Sequence, residues 1–146
     1  MKNIMIVSQH LVILALAASV VALSPTGRAE EHAIDASKLP PASTKQGVTY
    51  ASDIKAIFEK SCVKCHGEEK PKAKLRLNSL EGALKGGGDG KVIEPGQSAK
   101  STLVASVARI GEEDHWMPPK DNKAKIAPLT AEQVGLIRAW IDQGAK

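Results

Sequence analysis

Residues 62–66 read Cys62-Val63-Lys64-Cys65-His66. Two thiols three positions apart, with an imidazole directly after the second, form the C-x-x-C-H pattern through which c-type haem is attached. The spacing has a mechanical reason. Cys62 and Cys65, on one turn of helix, can each add to one of the two vinyl groups of a single porphyrin. His66 is then the proximal ligand of the iron. Three other readings compete. A thioredoxin-like redox pair follows a strand in a βαβ unit, and no such unit is visible in the sequence. A closed zinc site needs a fourth ligand, and outside the first 29 residues only His32 and His115 remain as further histidines. A plain disulfide suits an oxidising compartment.

Upstream of the motif, the chain opens with Lys2 and then a 13-residue run, Leu11 to Leu23, of apolar and small residues broken only by Ser19. That run is short of the roughly 20 residues a membrane-spanning helix needs. Gly27-Arg28-Ala29 puts small residues three and one positions before a cut after Ala29. Residues 1–29 are therefore expected to be a secretory signal peptide, with an uncleaved anchor as the rival. Export agrees with the motif, because c-type haem is attached after export in bacteria. The expected location is the periplasm or another exported compartment, with no membrane span after cleavage.

The same cut singles out Met117. Of three methionines, Met1 and Met5 leave with the leader. Met117 stands 51 residues after His66, between His115-Trp116 and Pro118-Pro119. His/Met is a ligand pair of haem iron in cytochromes c, and flanking prolines leave a loop little freedom to lose. Met117 is the expected distal ligand. His115, two residues away, is the alternative: in an extended loop the two share a face, so a ligand swap is conceivable.

Composition excludes other classes. At 42% hydrophobic and 25% charged residues, the chain is an ordinary globular protein. Two cysteines rule out a disulfide-dense scaffold. Losing Lys2 and Arg28 with the leader leaves 18 basic against 16 acidic residues, too mild for nucleic-acid binding. Aromatics make up only 3%, so the core must be aliphatic or be filled by something else. A haem would fill it. The charge is also uneven. Residues 60–76 carry six basic residues against two acidic, and residues 117–127 three against one.

Patterning gives an all-α fold. Residues 30–49, with Pro40-Pro41 and no period, read as a flexible, exposed lead-in, and the haem domain as residues 50–146. One helix is predicted from a Ser52 cap to about Cys65, with Ile54, Ile57 and Phe58 on one stripe. A second starts at an Asn78/Glu81 capping box and stops at Gly86. A third is capped by Ser101 and buries Leu103, Val104 and Val107. A fourth starts at a Thr130/Gln133 capping box and buries Val134, Ile137 and Ile141, ending at Gly144. Val92-Ile93 and Leu75 to Leu77 are at most short extended pieces.

The order Ile57-Phe58, Cys62-Val63-Lys64-Cys65-His66-Gly67, Leu75-Arg76-Leu77, Gly82-Ala83-Leu84-Lys85-Gly86-Gly87, Pro95-Gly96-Gln97-Ser98, Met117-Pro118-Pro119 and Ile137 to Ala145 resembles the planctomycete-type cytochrome c domain. That domain is similar in fold to class I cytochromes c, small helices wrapped around one covalently attached haem. The resemblance runs from about Tyr50 to Ala145. It implies Cys62 and Cys65 as thioether sites, His66 and Met117 as iron ligands, and a crossing of the first and last helices.

The expectation is a monohaem c-type cytochrome, a one-electron carrier rather than an enzyme, with one haem c per chain and redox proteins, acidic ones among them, as partners. Two alternatives stand beside it. One is the haem subunit of a larger dehydrogenase complex. The other is a haem-based peroxidase or gas sensor whose Met117 bond yields.

Overall fold

The computed structural model describes residues 34–146; the expected leader 1–29 and His32 lie outside the described residues. The described chain is helical, with no strand. Its one β-bridge pairs Gly87 with Gly90. None of its helices is long and apolar enough to cross a membrane.

The first helical segment starts earlier than Ser52. Thr49 is the cap: its hydroxyl accepts the Ser52 N–H at 3.2 Å, and the Asp53 carboxylate returns the favour to the Thr49 N–H at 3.2 Å. A wide π-helical turn, Tyr50–Ile54, runs into α1, Lys55–Ser61. The helix then breaks. Cys62 has φ −126° and ψ −42°, and α2, Val63–His66, begins after it. The ladder restarts on the Cys62 carbonyl, which accepts from Cys65 N at 3.0 Å and His66 N at 2.8 Å. The single helix expected to about Cys65 is thus two.

The other helices are α3, Leu80–Lys85; α4, Thr102–Ala108; and α5, Ala131–Asp142. α3 is capped by Ser79, whose Oγ accepts the Gly82 N–H at 3.1 Å, one residue after the expected Asn78. Ser101 precedes α4 as expected, but its buried hydroxyl donates to Gln97 O at 3.1 Å and accepts from Glu94 N at 2.9 Å. It ties the preceding loop rather than capping the helix. The Thr130/Gln133 capping box of α5 is present in both directions.

Three of the four aromatic residues gather where the first and last helical segments meet. Tyr50, Phe58 and Trp140 have ring centroids 6.0–6.1 Å apart, with Phe58 and Trp140 edge to face. Around them Ile54, Val104, Ile137 and Ile141 are fully buried. The core is therefore less aliphatic than composition implied, because its few aromatics are concentrated at one point.

The segment before the first helix is not simply exposed. Leu39 and Val48 are buried. Ser43 N donates to Gly135 O at 2.9 Å, the Arg138 guanidinium donates to Pro40 O, and Gln143 bonds both Val48 N and Lys45 O. Gly135 makes the close approach possible: a Cβ there would lie 2.6 Å from Pro41 O.

A second close approach shapes the loop after the motif. Gly88 N donates to Ala73 O at 2.7 Å, and a Cβ on Gly87 would lie 2.7 Å from the same oxygen. Leu77 N donates to His66 O at 2.7 Å. Residues 70–77 are thus held by main chain on both sides.

Candidate cofactor cleft

α2, the extended Leu75–Leu77 piece, α4 and the loop through Met117 enclose a cleft of about 800 Å³ of empty space, its mouth included. Cys62, Cys65 and His66 line it together with Met117. Most of the remaining lining is aliphatic or proline: Leu75, Leu77, Leu103, Val107 and Pro118 among others. Residues 51 positions apart in sequence thus meet at one cavity.

Both cysteines are free thiols, Cys62 buried and Cys65 half-buried. Burial, and secondarily Cys65, pushes the Cys62 thiol up to about 12. Among the described residues no set of three or more His, Cys, Asp or Glu side chains gathers as a metal site.

His66 is half-buried, and its Nδ1 is buried with no hydrogen-bond partner. Burial lowers the imidazole's pKa, opposed by the neighbouring backbone of Leu75 and Lys72. A neutral imidazole is the form that binds metals. Two thiols and an imidazole in one apolar cleft are the donor set that a covalently attached haem requires.

Met117 is half-buried against the core. Its N–H donates to Ser106 O on α4 at 2.9 Å, and the Met117–Pro118 peptide is cis. His115 does not share its face. The short 3₁₀ turn Glu113–His115 carries it to a different cleft, lined by Ile34, Asp35, Lys38 and Ile110 among others. Extended geometry would have kept the two together; the turn separates them.

Two groups in this loop escaped the sequence reading. Asn122 closes it: its amide donates to Pro119 O at 2.8 Å and Ile126 O at 3.1 Å and accepts from Ile126 N at 2.6 Å. An Asn after a proline pair was a readable turn signal. Arg109, which bonds Pro118 O at 2.7 Å, gave no such signal.

Exposed basic residues flank the lining segments in sequence. Lys60, Lys64, Lys72, Lys74, Arg76, Lys120, Lys123 and Lys125 are all exposed, and each is the chain neighbour of a lining residue. Of these, Lys120 is drawn into an ion pair with Glu113 at 2.6 Å.

No curated protein and no solved structure matches the chain. Residues 62–121, the stretch that runs from Cys62 past Met117, match the family model described as Planctomycete cytochrome C, so this stretch is similar to the cytochrome c domain of that family.

Proposed function

We propose that this protein is a monohaem c-type cytochrome that carries single electrons in the periplasm. The observation that carries the reading is the shared cleft, with Cys62, Cys65 and His66 on one stretch of its wall and Met117 on another. Haem c bound there would supply one-electron Fe(III)/Fe(II) chemistry. Cys62 and Cys65 would anchor it covalently. His66 would give the iron a neutral nitrogen, and Met117 a thioether, a ligand that raises the potential. The apolar lining would keep water from the iron.

The lining argues for a carrier over a peroxidase. Apart from Cys62, Cys65 and His66, none of its side chains is titratable. No general acid or base is therefore at hand to move a proton during bond cleavage. The exposed basic residues beside the lining segments suit acidic redox partners, whose approach they would speed through their net field.

The test is expression with export and haem maturation, followed by intact mass and a pyridine haemochrome spectrum. The expected mass is the chain without residues 1–29 plus one haem that survives acid extraction. Cys62→Ala or Cys65→Ala should cripple attachment. Haem that extracts freely from the unmutated protein would falsify the reading.

A further inference from the structure

We propose that Arg109 is the residue that positions Met117, holding the loop from the end of α4 on both sides of the thioether. The inference rests on Met117 being an iron ligand.

The contacts fall on three consecutive residues. Arg109 Nη2 donates to Pro118 O at 2.7 Å. The same guanidinium lies 5.7 Å from the centroid of the Trp116 ring, within cation–π range. Between them, Met117 N donates to Ser106 O at 2.9 Å, three residues before Arg109 on the same helix. Ser106 lines the cleft and Arg109 does not. Arg109 thus works from behind the loop, leaving the cleft side to the Met117 side chain.

The backbone gives no reason for an arginine here. Arg109 terminates α4 in the left-handed region, φ 57° and ψ 46°. Glycine is the residue such a cap favours. Arg109 Nε is also buried without a partner, unlike the nitrogens of an arginine in water. What the side chain supplies in return is its grip on residues 116 and 118. Trp116 has a second cation beside it: Lys120 Nζ lies 5.2 Å from the ring centroid.

The backbone conformation supplies a clean test. Arg109→Gly removes the guanidinium and suits the cap, so it leaves the helix end intact. Arg109→Lys keeps a charge that reaches the Pro118 carbonyl but loses the planar fork. Both are compared with the unmutated holoprotein and with Met117→Ala. Imidazole titration of the ferric protein reads how readily the thioether yields, and the near-infrared sulfur-to-iron band reads the bond itself. Arg109→Gly is expected to bind imidazole about tenfold more tightly, the factor carried by one charge-assisted hydrogen bond, and to weaken the band. Arg109→Lys should fall between it and the unmutated protein. If Met117→Ala raises imidazole affinity and Arg109→Gly leaves it unchanged, the positioning role is wrong while the ligand stands. If Met117→Ala changes neither readout, the ligand assignment fails and the positioning role falls with it.

Discussion

Gly135→Ala sets two local effects against each other, and the structure decides the sign. In the interior of a helix, alanine is more favourable than glycine by about 1 kcal/mol. At Gly135 the added methyl would lie 2.6 Å from Pro41 O, closer than a real Cβ contact. The oxygen belongs to backbone, so no side chain can rotate away. Either α5 or the 39–43 segment must move. The segment is the weaker party, since α5 carries the buried Ile137, Trp140 and Ile141. Moving it strains the Ser43 N to Gly135 O bond, worth about 1 kcal/mol, and the Arg138 bond to Pro40 O, worth about 1.5 kcal/mol because it is charged. The net expectation is a loss of about 1.5 kcal/mol, which for a domain of this size lowers the melting temperature by about 5 °C. Urea denaturation of the holoprotein measures it directly. A second variant identifies the route. Leu39 is buried on the same segment. If the segment swings out, Leu39→Ala and Gly135→Ala must cost less together than the two costs added. A Gly135→Ala protein as stable as the original, or more so, would show that helix propensity outweighs the contact and that the segment is not packed as described.

Met117→Ala should erase the near-infrared sulfur-to-iron band, lower the reduction potential and open the iron to small ligands; a band that survives excludes the thioether. Asp53 is held down to about 2 by the Lys45 ammonium first, then by Ser52 and Thr49. A depressed carboxylate contributes stability that is present above its unfolded value, near 3.8, and is lost as pH falls through about 2. Asp53→Asn should therefore flatten the acid limb of the stability curve between those two values, and an unchanged limb would show that the pair contributes nothing. Electron transfer to an acidic protein should slow steeply with salt and drop in Lys72→Glu and Lys123→Glu, because steering between exposed charges is screened within roughly 8 Å at physiological ionic strength. A flat salt dependence with both variants unchanged would leave these lysines as solubilising surface.

What the sequence made legible was local. The C-x-x-C-H run, the methionine beside its proline pair, the apolar stripe of α5 and its reciprocal capping box are each contained in a short stretch of chain, so periodicity and side-chain chemistry suffice to read them. The Thr49 cap was missed because Ser52 is an equally good capping residue by type, and only the wide first turn favours the earlier hydroxyl. The break at Cys62 has no local breaker: neither glycine nor proline stands there. The docking of residues 39–49 depends on a notch and an arginine on α5 some 95 residues away, beyond any windowed reading. The His115–Met117 pair was misjudged for a geometric reason. Two residues apart means one face in an extended chain, but not across the end of a 3₁₀ turn.

The wall formed by residues 70–77 separates two kinds of selection. Its path is set by main-chain bonds to Gly88 and His66 and by the missing side chain at Gly87, while Lys72, Lys74 and Arg76 project outward and exposed. None of those three side chains takes part in holding the wall's course. Substitution there is free to rewrite the charge pattern that an approaching protein meets, without altering the cavity behind it. The glycines are frozen, whereas the lysines can drift. A lineage could thus change the charge this face presents through surface substitutions alone, keeping the cavity unaltered throughout.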